Sequence, residues 1–128
     1  MVIADSSVWI TFQRDPNSDV GRELNTLLAD DEVIVVGPVL TEILQGARSD
    51  REFAFLAERL RSLAFQSTDQ DTWIQAGELN FQLKREGLTL AFADLIVSAL
   101  AVQHGIPVYT INGDFQRVRG LRLYEPRP

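Results

Sequence analysis

Short runs of apolar, mostly β-branched residues alternate along this chain with longer helical periodicities, and that alternation constrains the fold more than any other feature. Val2-Ile3-Ala4, Val33-Ile34-Val35-Val36, Pro107-Val108-Tyr109-Thr110-Ile111 and Leu121-Arg122-Leu123-Tyr124 read as buried strands. Leu63-Ala64-Phe65 is a weaker fifth. Between them, residues 19–29, 38–47, 51–62, 70–85 and 90–103 carry helical patterns. Pro38 suits a first helical position, Asp50 and Asp69 suit caps, and His104-Gly105 reads as a helix C-terminus. Strands joined by helices of this length need crossover connections, which make neighbouring strands parallel and cover both sheet faces. The expected fold is α/β, a three-layer α/β/α sandwich around a mostly parallel five-stranded sheet. No repeat, low-complexity tract or linker interrupts the pattern, so residues 1–128 read as one domain.

Composition removes several classes of function. The chain has no Cys, which excludes thiolate metal sites, disulfides and a Cys nucleophile, and its single His excludes a His-rich zinc site. Twelve Lys and Arg against 18 Asp and Glu leave a formal charge of −6, so contacts to nucleic acid have to be local. Asp5 follows the first apolar run with no basic stretch before it, unlike a signal peptide. The apolar stretch 90–102 is interrupted by Asp94 and is shorter than the ~20 residues of a membrane span. A soluble, cytoplasmic protein is the expectation. No Walker loop, dinucleotide fingerprint or nucleophile elbow is present.

Most of the acids read as solvated surface, and four do not. Asp5 follows the first strand, Glu42 lies one turn into the helix after the second, Asp94 begins the last long helix, and Asp114 follows the strand ending at Ile111. In a parallel sheet, strand ends and the starts of following helices share one edge, where such folds place their sites. Each acid also has a plainer reading. Asp5, with Ser6 and Ser7, suits a helix cap, and Glu42 suits the polar side of an amphipathic helix. Asp94 is the most informative, because residues 90–102 are otherwise almost wholly apolar. A carboxylate there needs a salt bridge, a cap or a ligand role facing a cleft. Ser98, one turn on along the same face, suggests a narrow polar stripe open to a pocket. Asn112-Gly113 is a hairpin signal, yet Asp114-Phe115-Gln116-Arg117-Val118 alternates poorly, which favours strand, loop and short helix.

Converging carboxylates repel one another, and a divalent cation resolves the repulsion. All-oxygen donors favour Mg²⁺ or Mn²⁺, which assist phosphodiester hydrolysis. At this point the motifs meet a known pattern. The opening Val2-Ile3-Ala4-Asp5-Ser6-Ser7-Val8-Trp9-Ile10, the Glu42 helix, Leu90-Ala91-Phe92-Ala93-Asp94-Leu95-Ile96 and Val108-Tyr109-Thr110-Ile111-Asn112-Gly113-Asp114-Phe115 resemble a PIN-domain protein of the VapC toxin branch. The resemblance covers nearly the whole chain. It implies an Mg²⁺- or Mn²⁺-dependent endoribonuclease, a cognate VapB-type antitoxin as partner, an RNA substrate and a homodimer. It also implies that Asp5, Glu42 and Asp94 are core metal-site acids, with Asp114 and Thr110 in the last motif. Asn112 stands where that motif often has an Asp, which weakens the case for a second permanently held ion. Ser6 and Ser98 are read as supporting polar residues.

Arg48, Arg51, Lys84, Arg85, Arg117, Arg119 and Arg122 are candidates for phosphate contacts, or are ordinary solvated surface. Trp9 and Phe12 belong to the core or line a groove for the antitoxin tail. Two other functions compete. A PIN-like module that binds RNA or protein without cutting would not need all three acids, and a haloacid-dehalogenase-type phosphatase would need an acid where Ser7 stands.

Overall fold

The computed structural model describes residues 1–126. Its elements run β1 (Val2–Ala4), α1 (Ser6–Arg14), α2 (Asp19–Ala29), β2 (Val33–Val36), α3 (Gly37–Gln45), α4 (Asp50–Arg61), β3 (Ala64–Gln66), α5 (Gln70–Arg85), α6 (Phe92–His104) and β4 (Val108–Tyr109), followed by a 3-10 turn at Gly113–Arg117. The sheet is parallel throughout and ordered β3-β2-β1-β4. Ile3 pairs with Ile34 on one side and Val108 on the other. Val2, Ile3 and Ala4 are all buried. Side chains alternate across a strand, so three consecutive buried residues require cover on both faces, and the helices supply it.

The expected five-stranded sheet has four strands. Leu63-Ala64-Phe65, the weakest candidate, forms β3 at one edge, whereas Leu121–Tyr124 contributes a single bridge, Leu123 to Val108. Two backbone bonds make that bridge: Val108 N–H to Arg122 O at 2.9 Å and Tyr124 N–H to Val108 O at 2.8 Å. β4 is only two residues long, so the segment beside it finds no longer ladder to join.

Local chemistry explains most helix ends. Pro38 lies in the first turn of α3, Asp69 forms a reciprocal capping box with Thr72, and Gly105 closes α6 at φ 65°, a left-handed conformation that favours glycine. Ser49 caps α4, which leaves Asp50 as its first helical residue instead of its cap. The Asn112-Gly113 segment makes the short helical turn and not a hairpin, because the Asn112 side chain accepts the Asp114 N–H and caps that turn. α1 packs against α2 and α3, α3 against α6, and α5 against α6.

Candidate active site

Strand order reverses between β1 and β4, the point at which an open parallel sheet leaves a crevice beyond its strand ends. Asp5 emerges from β1 there and donates its N–H to Tyr109 O at 3.0 Å. It is 2% exposed, so its carboxylate needs partners from the protein. Oδ1 accepts the Val8 N–H at 3.3 Å, which caps α1, and the Ser7 hydroxyl at 2.6 Å. Oδ2 accepts the Thr110 hydroxyl at 2.7 Å. Capping the helix and joining the acidic group are therefore one placement.

The residues leaving β4 tie this corner to the next acid. Ile111 N–H donates to Ser7 Oγ at 3.3 Å, and Asn112 N–H donates to Thr110 Oγ1 at 2.9 Å. The Asn112 amide then donates to Asp94 Oδ2 at 3.3 Å. Where an aspartate would add a charge, Asn112 supplies a hydrogen-bond donor. Its carbonyl oxygen accepts the Asp114 N–H at 3.0 Å and so orients the fourth acid as well.

Asp94 lies in the first turn of α6, whose N-cap, Ala91, has no side chain able to cap. The exposed N–H groups of that turn favour a negative charge. Burial works against it more strongly, and the nearby charges of Asp5, Glu42 and Asp114 add to the effect, so the Asp94 carboxyl is pushed up from 3.8 to about 6. The same influence reports the geometry: acids from α3, from the end of β1 and from the 3-10 turn all act on one carboxyl. Among the described residues, Arg117, 3.9 Å from Asp114, makes the only ion pair with any of the four.

The donor set is oxygen only and carries excess negative charge, which suits a hard divalent cation. Among the described residues, no three His, Asp or Glu side chains are arranged to enclose an ion. Mg²⁺ does not need such a cage, since it usually keeps several waters and binds through one or two carboxylates. The residues fit a hydrated ion at Asp94 and Asp5 and do not fit a closed, dehydrated site.

Two supporting residues differ from expectation. The hydroxyl that reaches Asp5 belongs to Ser7 and not Ser6. Helical geometry was the available signal, because a side chain two residues past an N-cap can fold back on the cap. Ser98 is fully buried, with its Oγ lacking a hydrogen-bond partner among the described residues. It does line a cavity, of about 170 Å³, but one shared with residues of α5 and with Arg117 and Arg119 and not with the four acids.

A parallel sheet with acids gathered at its switch point defines a class, and the chain belongs to it: residues 2–121 match the PIN domain, and the protein is a member of that family. It is 26% identical over 119 residues to Ribonuclease VapC11 of Mycobacterium tuberculosis, covering 90% of this chain and 89% of that one. Its fold matches the DNA-bound VapBC of Salmonella typhimurium with a TM-score of 0.81, at 21% identity and 96% coverage of both chains. It also matches the sarcin-ricin loop cleaving toxin VapC20 of Mycobacterium tuberculosis, with a TM-score of 0.67, 20% identity and coverage of 95% and 99%. No helix among the described residues is long and apolar enough to cross a membrane.

Proposed function

We propose that this protein is a metal-dependent endoribonuclease, the toxin of a VapBC-type toxin-antitoxin module. The observation that carries the reading is the pair of clamps from one short loop, Thr110 on Asp5 and Asn112 on Asp94, which hold two acids of distant sequence at the sheet's switch point. The family membership and the ribonuclease names of its relatives support it.

Asp5 and Asp94 would hold the ion, since a buried strand end and an apolar helix fix them most rigidly. When bound, Mg²⁺ or Mn²⁺ lowers the pKa of water and stabilises charge on the attacking and leaving oxygens of a phosphodiester. Glu42, half-buried on α3, orients the attacking water and accepts its proton. Asp114 stands on a solvent-accessible turn paired with Arg117 and contributes when the substrate phosphate is present. Glu42→Ala therefore lowers turnover more than metal binding, and Asp114→Ala has the mildest effect of the four.

The partner in this reading is a VapB-type antitoxin. A groove of about 520 Å³ between α1, α3 and α4, lined by Trp9, Phe12, Ile43, Phe55 and Leu60, offers an apolar seat for an amphipathic segment. Trp9 and Phe12 meet edge to face there at 6.3 Å, so they serve both the core and the groove wall.

The test is RNA cleavage by protein freed of any antitoxin. Cleavage in Mg²⁺ or Mn²⁺ that EDTA abolishes supports the reading. Undiminished cleavage in EDTA overturns the metal mechanism, and RNA binding without cleavage under any divalent ion makes the chain a binding module.

A further inference from the structure

The cavity that Ser98 lines has no part in the chemistry at the acids. It lies between α5, α6 and residues 117–119. Ser98 is fully buried, and its Oγ has no hydrogen-bond partner among the described residues. A serine inside a helix ordinarily bonds back to the carbonyl one turn earlier, and a buried hydroxyl left unpaired is costly. One water would satisfy it in about 15 Å³, and the cavity, at about 170 Å³, is far larger than that purpose needs.

The lining sorts what can enter. Leu79 of α5, Ala99 of α6 and Val118 give apolar wall, while Ser98 and Gln82 bring both donors and acceptors. A wholly apolar ligand would leave Ser98 unpaired. A bare anion would meet Glu78 and Glu86, which also line the space. A neutral ring with apolar faces and polar edges suits both parts of the wall. The size agrees, since 170 Å³ is below the roughly 300 Å³ at which pockets for whole small-molecule ligands begin. A ring enters, and whatever it is attached to stays outside.

Arg117 indicates what that attachment is. It lines the cavity and also comes within 3.9 Å of Asp114, so one side chain joins the cavity to the acidic group. A guanidinium in that position suits a phosphate whose ring lies inside. We infer that this cavity is a nucleobase pocket, with the base between Leu79 and Val118, a polar edge of the ring on Ser98, and the phosphate on Arg117. A base of RNA and a base of a free nucleotide carry the same chemistry. The link through Arg117 to the acids makes RNA the expected source, and that part rests on the ribonuclease reading.

Titration of ¹⁵N-labelled, antitoxin-free protein in EDTA tests the pocket without cleavage. The probes are the four nucleoside monophosphates and single-stranded tetraribonucleotides. Amide resonances of Ser98, Ala99 and Val118 should shift and saturate. Ser98→Ala should weaken binding roughly tenfold, the scale of one lost hydrogen bond to a buried group, while its thermal melt stays cooperative. Gln82→Ala, at an exposed position, should weaken binding several-fold and leave folding unchanged. Tetraribonucleotides that bind much more tightly than monophosphates identify RNA as the source, and equal affinities identify a free nucleotide. Both results support the pocket. The absence of saturable shifts with millimolar monophosphates and with tetraribonucleotides overturns it, as do shifts confined to residues around the four acids. Binding that both variants leave unchanged overturns it too. Cleavage and its loss in EDTA are measured separately, so this inference can fail while the ribonuclease reading stands.

Discussion

Asp5 and Asp94 are the same residue type in one acidic group, yet the protein treats them in opposite ways. Asp5 receives two hydroxyls and a backbone N–H, and three elements converge on it. Asp94 receives one side-chain amide at 3.3 Å and faces three like charges. The first carboxylate is a structural corner that also faces the site. The second is held where its charge is unwelcome, and a group in that state is ready for a cation.

The largest expected effect separates the two directly. Asp94→Asn should lower RNA cleavage roughly a hundredfold or more, the scale of losing a positioned catalytic group, while the metal-free melting temperature stays level or rises. Asp5→Ala should also stop cleavage, but it strips a helix cap and orphans two hydroxyls, at a cost of about 2 kcal/mol measurable by denaturant unfolding. Equal stability losses in the two variants would erase the contrast and make both acids structural. Asn112→Asp comes next: it replaces the one side-chain donor that reaches Asp94 among the described residues with another charge, so metal-free stability should fall by about 1 kcal/mol and calorimetric titration should show tighter Mn²⁺ binding.

The smallest effect is a pH slope. Between its ordinary 3.8 and about 6, folded Asp94 holds a proton that the unfolded chain has released. Its contribution to stability is complete below the lower value and is lost as pH rises through the upper one. Metal-free wild type should therefore lose melting temperature relative to Asp94→Asn as pH climbs from 5 to 7, and added Mn²⁺ should restore it. Parallel profiles without metal would show that Asp94 is not the frustrated group.

Periodicity made the strand-helix alternation legible, and residues 19–29 and 70–85 coincide with α2 and α5 because their core-facing residues recur at helical spacing. It misjudged the sheet edges. Leu63–Phe65 and Leu121–Tyr124 look alike as apolar runs, but β3 lies against β2, while the C-terminal run has only two-residue β4 beside it. The four acids could be placed at one edge from chain order alone. Which hydroxyl reaches Asp5 could not, since Ser6 and Ser7 differ only in their rotation about α1. Ser98 follows the same logic: one turn past Asp94 along a helix says nothing about which neighbour lies opposite, and α5 lies there.

The bond from Thr110 to Asp5 spans 105 residues of chain. Contacts of such separation are among the last a folding chain can close, because loop entropy must be overcome before they contribute. β1 leaves the ribosome early and waits for β4, its neighbour on one side, until almost the whole domain has been made. During synthesis, therefore, a nascent chain carries Asp5 and Glu42 through most of its elongation, and Asp94 only near the end, before it has the loop that ties Asp5 and Asp94 together, and a fragment released before residue 110 has these acids without those ties.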